Sequence, residues 1–110
     1  MEGRILQRSL LITAEQIDET WGPEHFSTLS QTHLEQLLTL GCDVLLLGTG
    51  HRQRFPSSVL LRPLIEAGRP LEIMDTPAAC RTYNILQAEG RAVAAALIIE
   101  RPPTVASLSP

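Results

Sequence analysis

The sequence predicts an α/β fold on a mainly parallel sheet, and two observations carry the prediction. A helical pattern, a glycine and a strand-like run follow one another three times: Gly41 before Val44-Leu47, Gly68 before Leu71-Met74, and Gly90 before Val93-Ile99. The runs read as continuous Val, Leu, Ile and Ala instead of alternating with polar residues, as strands covered by helices on both faces do. Glycine just past a helix end takes the left-handed conformation at little steric cost, so these three are expected there, mostly at positive φ.

Taken in order, Arg4-Leu6 and Ser9-Thr13 read as a short pair of strands. Thr13 with Gln16 has capping-box spacing, and Ile12 with Ile17 suits a hydrophobic staple, which predicts a brief helical turn leading to Trp21. Thr32 with Glu35 forms a second box, and Leu34, Leu37 and Leu38 supply a buried stripe up to Gly41. From Ser57 to Ala67 the spacing of Leu60, Leu61, Leu64 and Ile65 is helical. Pro63 interrupts it, since proline removes a donor and costs about 3 kcal/mol in a helix interior; a kink, or a start at Arg62-Pro63, is expected. The helix from Thr76 to Glu89 has Asp75 or Thr76 as N-cap, Pro77 at the first helical position and Gly90 as its stop.

At 110 residues the chain fits one compact domain, expected over residues 1–101, with the Pro- and Ser-containing segment 102–110 expected to be disordered. A net charge of −3, spread rather than blocked, lacks the electrostatic footprint of general nucleic-acid binding. Two cysteines are too few for a disulfide framework, and Met1-Glu2-Gly3-Arg4 lacks the apolar core of a secretory signal, so a reducing cytoplasm is expected. The longest apolar run, Ala92 to Ile99, is under half of the roughly 20 residues a spanning helix needs, which leaves at most a peripheral membrane association.

Chemistry in open α/β sheets gathers outside the carboxyl ends of strands, here Leu47-Gly48-Thr49-Gly50 and Met74-Asp75-Thr76. If the two strands are neighbours, both loops face one crevice. Gly48-Thr49-Gly50 begins like a dinucleotide fingerprint, with Asp75 where a ribose-binding acid would stand, but position 53 is Gln53 and not glycine. No nucleotide cofactor is expected. Cys80 lies in the first turn of its helix, where the macrodipole and Arg81 would lower a thiol pKa. It has no histidine near it in sequence to act as base, and packing as a small apolar residue is the competing reading. Neither Cys-x-x-Cys nor His-x-x-x-His spacing occurs, so no metal is expected. Arg81 reads as an ion-pair partner for Asp75, Tyr83 as a half-buried aromatic, and Asn84 as a poor helix former whose amide needs a partner. Two accounts stay open for Gly48, Thr49, Gly50, Asp75, Thr76, Cys80, Arg81, Tyr83 and Asn84: a polar network pinning helix to loop, or a binding surface.

The run Leu45-Leu46-Leu47-Gly48-Thr49-Gly50, then Arg54-Phe55-Pro56, Met74-Asp75-Thr76, Ala78-Ala79-Cys80-Arg81-Thr82-Tyr83-Asn84 and Glu89-Gly90-Arg91 closely resembles the small-protein family that includes mitochondrial complex I assembly factor 3 and its bacterial relatives. The resemblance implies a three-layer α/β domain whose central sheet is mixed and largely parallel, with the final strand inside it and at least one strand antiparallel. It also implies a non-enzymatic protein-interaction factor for respiratory complexes, with a protein partner and no cofactor. The alternative is an enzyme or small-ligand binder in the same crevice, with Asp75 and Arg81 as polar anchors and Cys80 as nucleophile.

Overall fold

The computed structural model describes residues 8–100, so the expected strand at Arg4-Leu6 and the expected disordered segment 102–110 lie outside the described residues. Five strands form one sheet: β1 (Leu10–Ile12), β2 (Ile17–Asp18), β3 (Val44–Gly48), β4 (Leu71–Met74) and β5 (Val93–Leu97), in the order β2-β1-β5-β3-β4. The sheet is parallel across β4, β3 and β5 and antiparallel from β5 through β1 to β2. The final strand therefore lies inside, as the resemblance implied. Its Ala94, Ala95 and Ala96 stand beside Leu45, Leu46 and Leu47 of β3.

Side chains alternate across the pleat, so one run of buried residues feeds two cores. Leu11, Leu45, Leu47, Ala94 and Ala96 face α1 (Gln31–Glu35) and α2 (Ser58–Glu66), where Leu34, Leu37, Leu64 and Trp21 meet them. Leu10, Ile12, Leu46, Val93, Ala95 and Leu97 face α3 (Thr76–Ala88), through Ala79 and Tyr83. That arrangement makes three layers.

Several local expectations are corrected. Thr13 to Gln16 form the turn of a hairpin, not a helix: the Thr13 hydroxyl accepts from the Glu15 and Gln16 amides, and Ile12 and Ile17 pair across the strands. The capping box before α1 is Ser30 with His33 rather than Thr32 with Glu35. The Ser30 hydroxyl takes the His33 amide while His33 Nδ1 takes the Ser30 amide at 3.0 Å, because Ser30 is extended and the imidazole ring reaches back as a Glu would. After α1 the chain tightens into a 3₁₀ turn, Gln36–Thr39, and Leu40 leaves it extended. Gly41 consequently has no helix end to terminate and does not take positive φ, whereas Gly68 (φ 67°) and Gly90 (φ 82°) do.

Helix α2 begins at Ser58 and runs through Pro63, so of the two alternatives the start at Arg62-Pro63 is not the one taken. Ser57 caps it by accepting from the Leu60 amide. Proline at 63 leaves the carbonyl of Val59 without its helical donor, and Gln31 Nε2 of α1 supplies one at 2.6 Å. For α3 the cap is Asp75, whose carboxylate accepts from Ala78 N at 2.7 Å, which puts Pro77 at the second helical position instead of the first.

Candidate functional site

Parallel pairing of β3 with β4 brings the Gly48-Gly50 loop and the start of α3 together at the carboxyl edge, as expected for neighbouring strands. The contact is direct. Thr49 N donates to the Met74 carbonyl at 2.9 Å and Thr76 N to the Gly50 carbonyl at 2.8 Å. Gly50 N donates to Thr76 Oγ1 at 2.9 Å, and that hydroxyl donates onward to the Ile98 carbonyl at 2.8 Å. Thr76 thus ties three loops in a buried chain of hydrogen bonds.

Two glycines make that approach feasible. A Cβ on Gly48 would lie 2.8 Å from Thr76 Cα and 3.2 Å from Ala79 Cβ, so α3 can pack this close to β3 only against glycine. Gly50 sits at φ +107°, and a Cβ there would fall 2.6 Å from Arg54 Nη2 and 2.8 Å from Glu100 Oε1. The first two positions of the apparent fingerprint therefore have a packing explanation.

The electrostatic centre of this edge is a pair that the sequence reading left out. Arg54 Nη2 lies 2.6 Å from Glu100 Oε1 and also donates to the Thr49 carbonyl at 2.8 Å. Glu100 Oε2 accepts from the Phe26 amide at 2.8 Å, His51 Nδ1 stands 3.6 Å from Oε1, and the Arg54 guanidinium lies 4.9 Å from the centre of the Phe26 ring. Burial alone would push the Glu100 carboxyl up, but the Phe26 amide, Arg54 and His51 outweigh it and hold its pKa below the usual value. No spacing rule links positions 26, 54 and 100; folding joins them. The one sequence signal was Arg54-Phe55-Pro56 within the family resemblance.

The singled-out residues divide into two sets. Gly48, Thr49, Gly50 and Thr76 are buried in the junction, with Asp75 as its cap. Tyr83 is buried more deeply than expected, at 2% exposure, in the core under α3. Cys80 is half-buried in the same core, where burial pushes its thiol pKa up against the smaller opposing effect of Arg81. With Asp75 as N-cap, Cys80 is the fifth residue of α3 and not in the first turn as expected, and at that position the pull of the helix start has already fallen off. Arg81 and Asn84 are exposed, and neither makes a hydrogen bond or ion pair among the described residues, so the expected Asp75–Arg81 pair and Asn84 contact are not formed. With Ile85, 58% exposed, they form the outer stripe of α3.

Three surface crevices are lined by other parts of the molecule: one by Ser9, Trp21 and Ile99, one by Leu61, Ile65 and Leu71, and one by Thr13, Gln16 and Tyr83. Tyr83 is the only singled-out residue lining any of these three. Among the described residues no group of three or more His, Cys, Asp or Glu is placed to hold a metal ion, and no helix is long and apolar enough to cross a membrane.

Residues 1–98 match a family described as protein of unknown function (DUF498/DUF598). A solution structure of a Xanthomonas campestris protein superposes with a TM-score of 0.75 at 41% identity, covering 88% of this chain and 74% of that one. The human protein named NADH dehydrogenase (ubiquinone) 1 alpha subcomplex assembly factor 3 is 33% identical over 106 residues, 96% of this chain and 56% of the human one. The chain thus spans little more than half of that relative. A Francisella tularensis protein named 13 kDa major membrane protein is 29% identical over 90 residues, 81% of this chain and 73% of its own length.

Proposed function

The chain belongs to the DUF498/DUF598 family, and from that membership we propose that it is a cytoplasmic, non-enzymatic interaction factor in the assembly of respiratory membrane complexes. The working surface is the carboxyl edge of β3 and β4 with the outer stripe of α3. The observation that carries this reading is the division of labour within one motif. Thr76, Ala79 and Tyr83 face inward and fix the helix, while Arg81, Asn84 and Ile85 face outward, and neither Arg81 nor Asn84 has a hydrogen-bond or ion-pair partner among the described residues. An exposed isoleucine beside a guanidinium and a carboxamide offers the apolar contact and directional hydrogen bonds of a protein interface. Relatives named as complex I assembly factors supply the process. The raised pKa of Cys80 argues against the nucleophile reading, since the thiolate is the reactive form.

The test is Arg81→Ala in a strain lacking the gene. An exposed charge contributes about 0–1 kcal/mol to stability through ion pairing, so the variant should melt close to the parent protein. It should nevertheless fail to restore the respiratory-complex level that the parent restores. Full complementation, or unfolding that by itself accounts for the loss, rejects the surface.

A further inference from the structure

Along α2, on the face of the sheet opposite α3, and the loop that leads into it, charge and apolar exposure are segregated. Residues 51–70 carry four arginines and one carboxylate, net +3 in a chain of net charge −3, and still net +2 with Arg54 set aside as the partner of Glu100. Within this stretch Phe55, Val59 and Ile65 are 66%, 55% and 64% exposed, three of the five large hydrophobic residues that are exposed among the described residues. Val59, Arg62 and Ile65 recur at three-residue intervals along the solvent side of α2, and Arg52 is exposed in the loop before it. Neither the Arg52 nor the Arg62 side chain makes a hydrogen bond or ion pair among the described residues. Beside Ile65 a groove of about 400 Å³ opens between α2 and the edge strand β4, lined by Leu61, Leu64, Leu71 and Ile73, with Arg69 also on its wall.

We propose that this face docks on an anionic lipid bilayer, with Arg52 and Arg62 meeting the headgroups while Phe55, Val59 and Ile65 enter the interface and the groove, whose Arg69 is held by the Cys42 carbonyl at 2.6 Å, receives part of an acyl chain. Charge complementarity selects the occupant. A basic patch on an otherwise acidic molecule orients it towards a negative surface. The exposed apolar side chains add what charge alone lacks, because interfacial binding needs both buried apolar area and attraction to anionic lipid. The edge strand agrees with that use. The outward carbonyl of Ile73 is covered by Gln53 Nε2 at 3.0 Å, so β4 is partly closed to pairing with another strand while its apolar side chains stay open to the groove.

Co-sedimentation of the full chain with phosphatidylcholine vesicles, with and without phosphatidylglycerol, tests this. The protein should bind the vesicles containing phosphatidylglycerol, much less those of phosphatidylcholine alone, and release as salt screens the arginines. Ile65→Asp should weaken binding about tenfold or more, since an inserted apolar side chain is replaced by a like-charged repellent. Arg52→Glu with Arg62→Glu should do the same. All three positions are exposed, and Ile85→Asp on the opposite face should bind as the parent does. Equal binding to both vesicle types, parent-like binding by Ile65→Asp, or an equal loss in Ile85→Asp would overturn the proposal. So would failure to bind either vesicle while an acidic peptide saturates the same face, which would assign it to a protein.

Discussion

Thr76 connects sequence to site through one hydroxyl. It accepts from Gly50 N and donates to the Ile98 carbonyl, both inside the buried junction. Thr76→Val keeps the shape and removes both bonds, which leaves a buried amide without its partner and should cost about 2 kcal/mol in urea unfolding. An unchanged midpoint would show that the junction is held by backbone contacts alone. His33 makes a second residue-level prediction. Burial depresses its pKa below 6.5, and Nδ1 must stay unprotonated to accept the Ser30 amide. A group whose folded pKa is lowered contributes stability above its unfolded value and loses it as pH falls through that value towards the folded one. Stability should therefore decline as pH drops below about 6.5, and His33→Gln should remove that decline; titration of the urea midpoint between neutral and mildly acid pH checks it. Glu100, also lowered, acts in the same sense at more acid pH, below its ordinary value of 4.5.

Among the elements, what the sequence made legible was set by how local the cause is. Asp75, Pro77 and Gly90 determine α3 within its own stretch, and Gly68 ends α2 as expected. At Thr32 and Glu35 the spacing was right and the residues wrong, because an imidazole can close a capping box as a carboxylate does. Pro63 left two alternatives open, and what lets the helix run through it is long-range: Gln31, on another helix, supplies the donor that the proline removes. The coupling is measurable. Gln31→Ala should destabilise by about 0.5–1.5 kcal/mol in the parent but much less in a Pro63→Ala background, where the restored amide of residue 63 takes the Val59 carbonyl. Equal effects in both backgrounds would mean that Gln31 does not compensate for the proline. The Thr13-Gln16 turn was misread because capping geometry is shared by helix starts and hairpin turns, and only the pairing of Ile17 with Ile12 separates them.

Over the whole molecule the sheet sorts the chain into two faces, each covered by helices. The continuous apolar runs of β3 and β5 announced strands buried on both sides, whereas β4, with Glu72 exposed, is a partly buried edge strand against that expectation; the alanines of β5 let both helical layers approach it. The position of β5 between β1 and β3 was not legible from periodicity, which is blind to strand order; the family resemblance implied only that the final strand lies inside the sheet. The candidate site was half legible in the same way. Its inward residues follow from the pattern around Asp75, while the Arg54–Glu100 pair closing the edge joins positions 46 residues apart. The central claim is that the outward stripe of α3 meets a protein partner. Its most direct measurement places a photo-crosslinking residue at Asn84 in cells, with a second at the exposed Glu35 on the other side of the sheet as reference. The account predicts a discrete adduct from Asn84 containing a subunit or assembly partner of a respiratory complex, and none from Glu35. The same adduct from both positions, or from Glu35 alone, would contradict it.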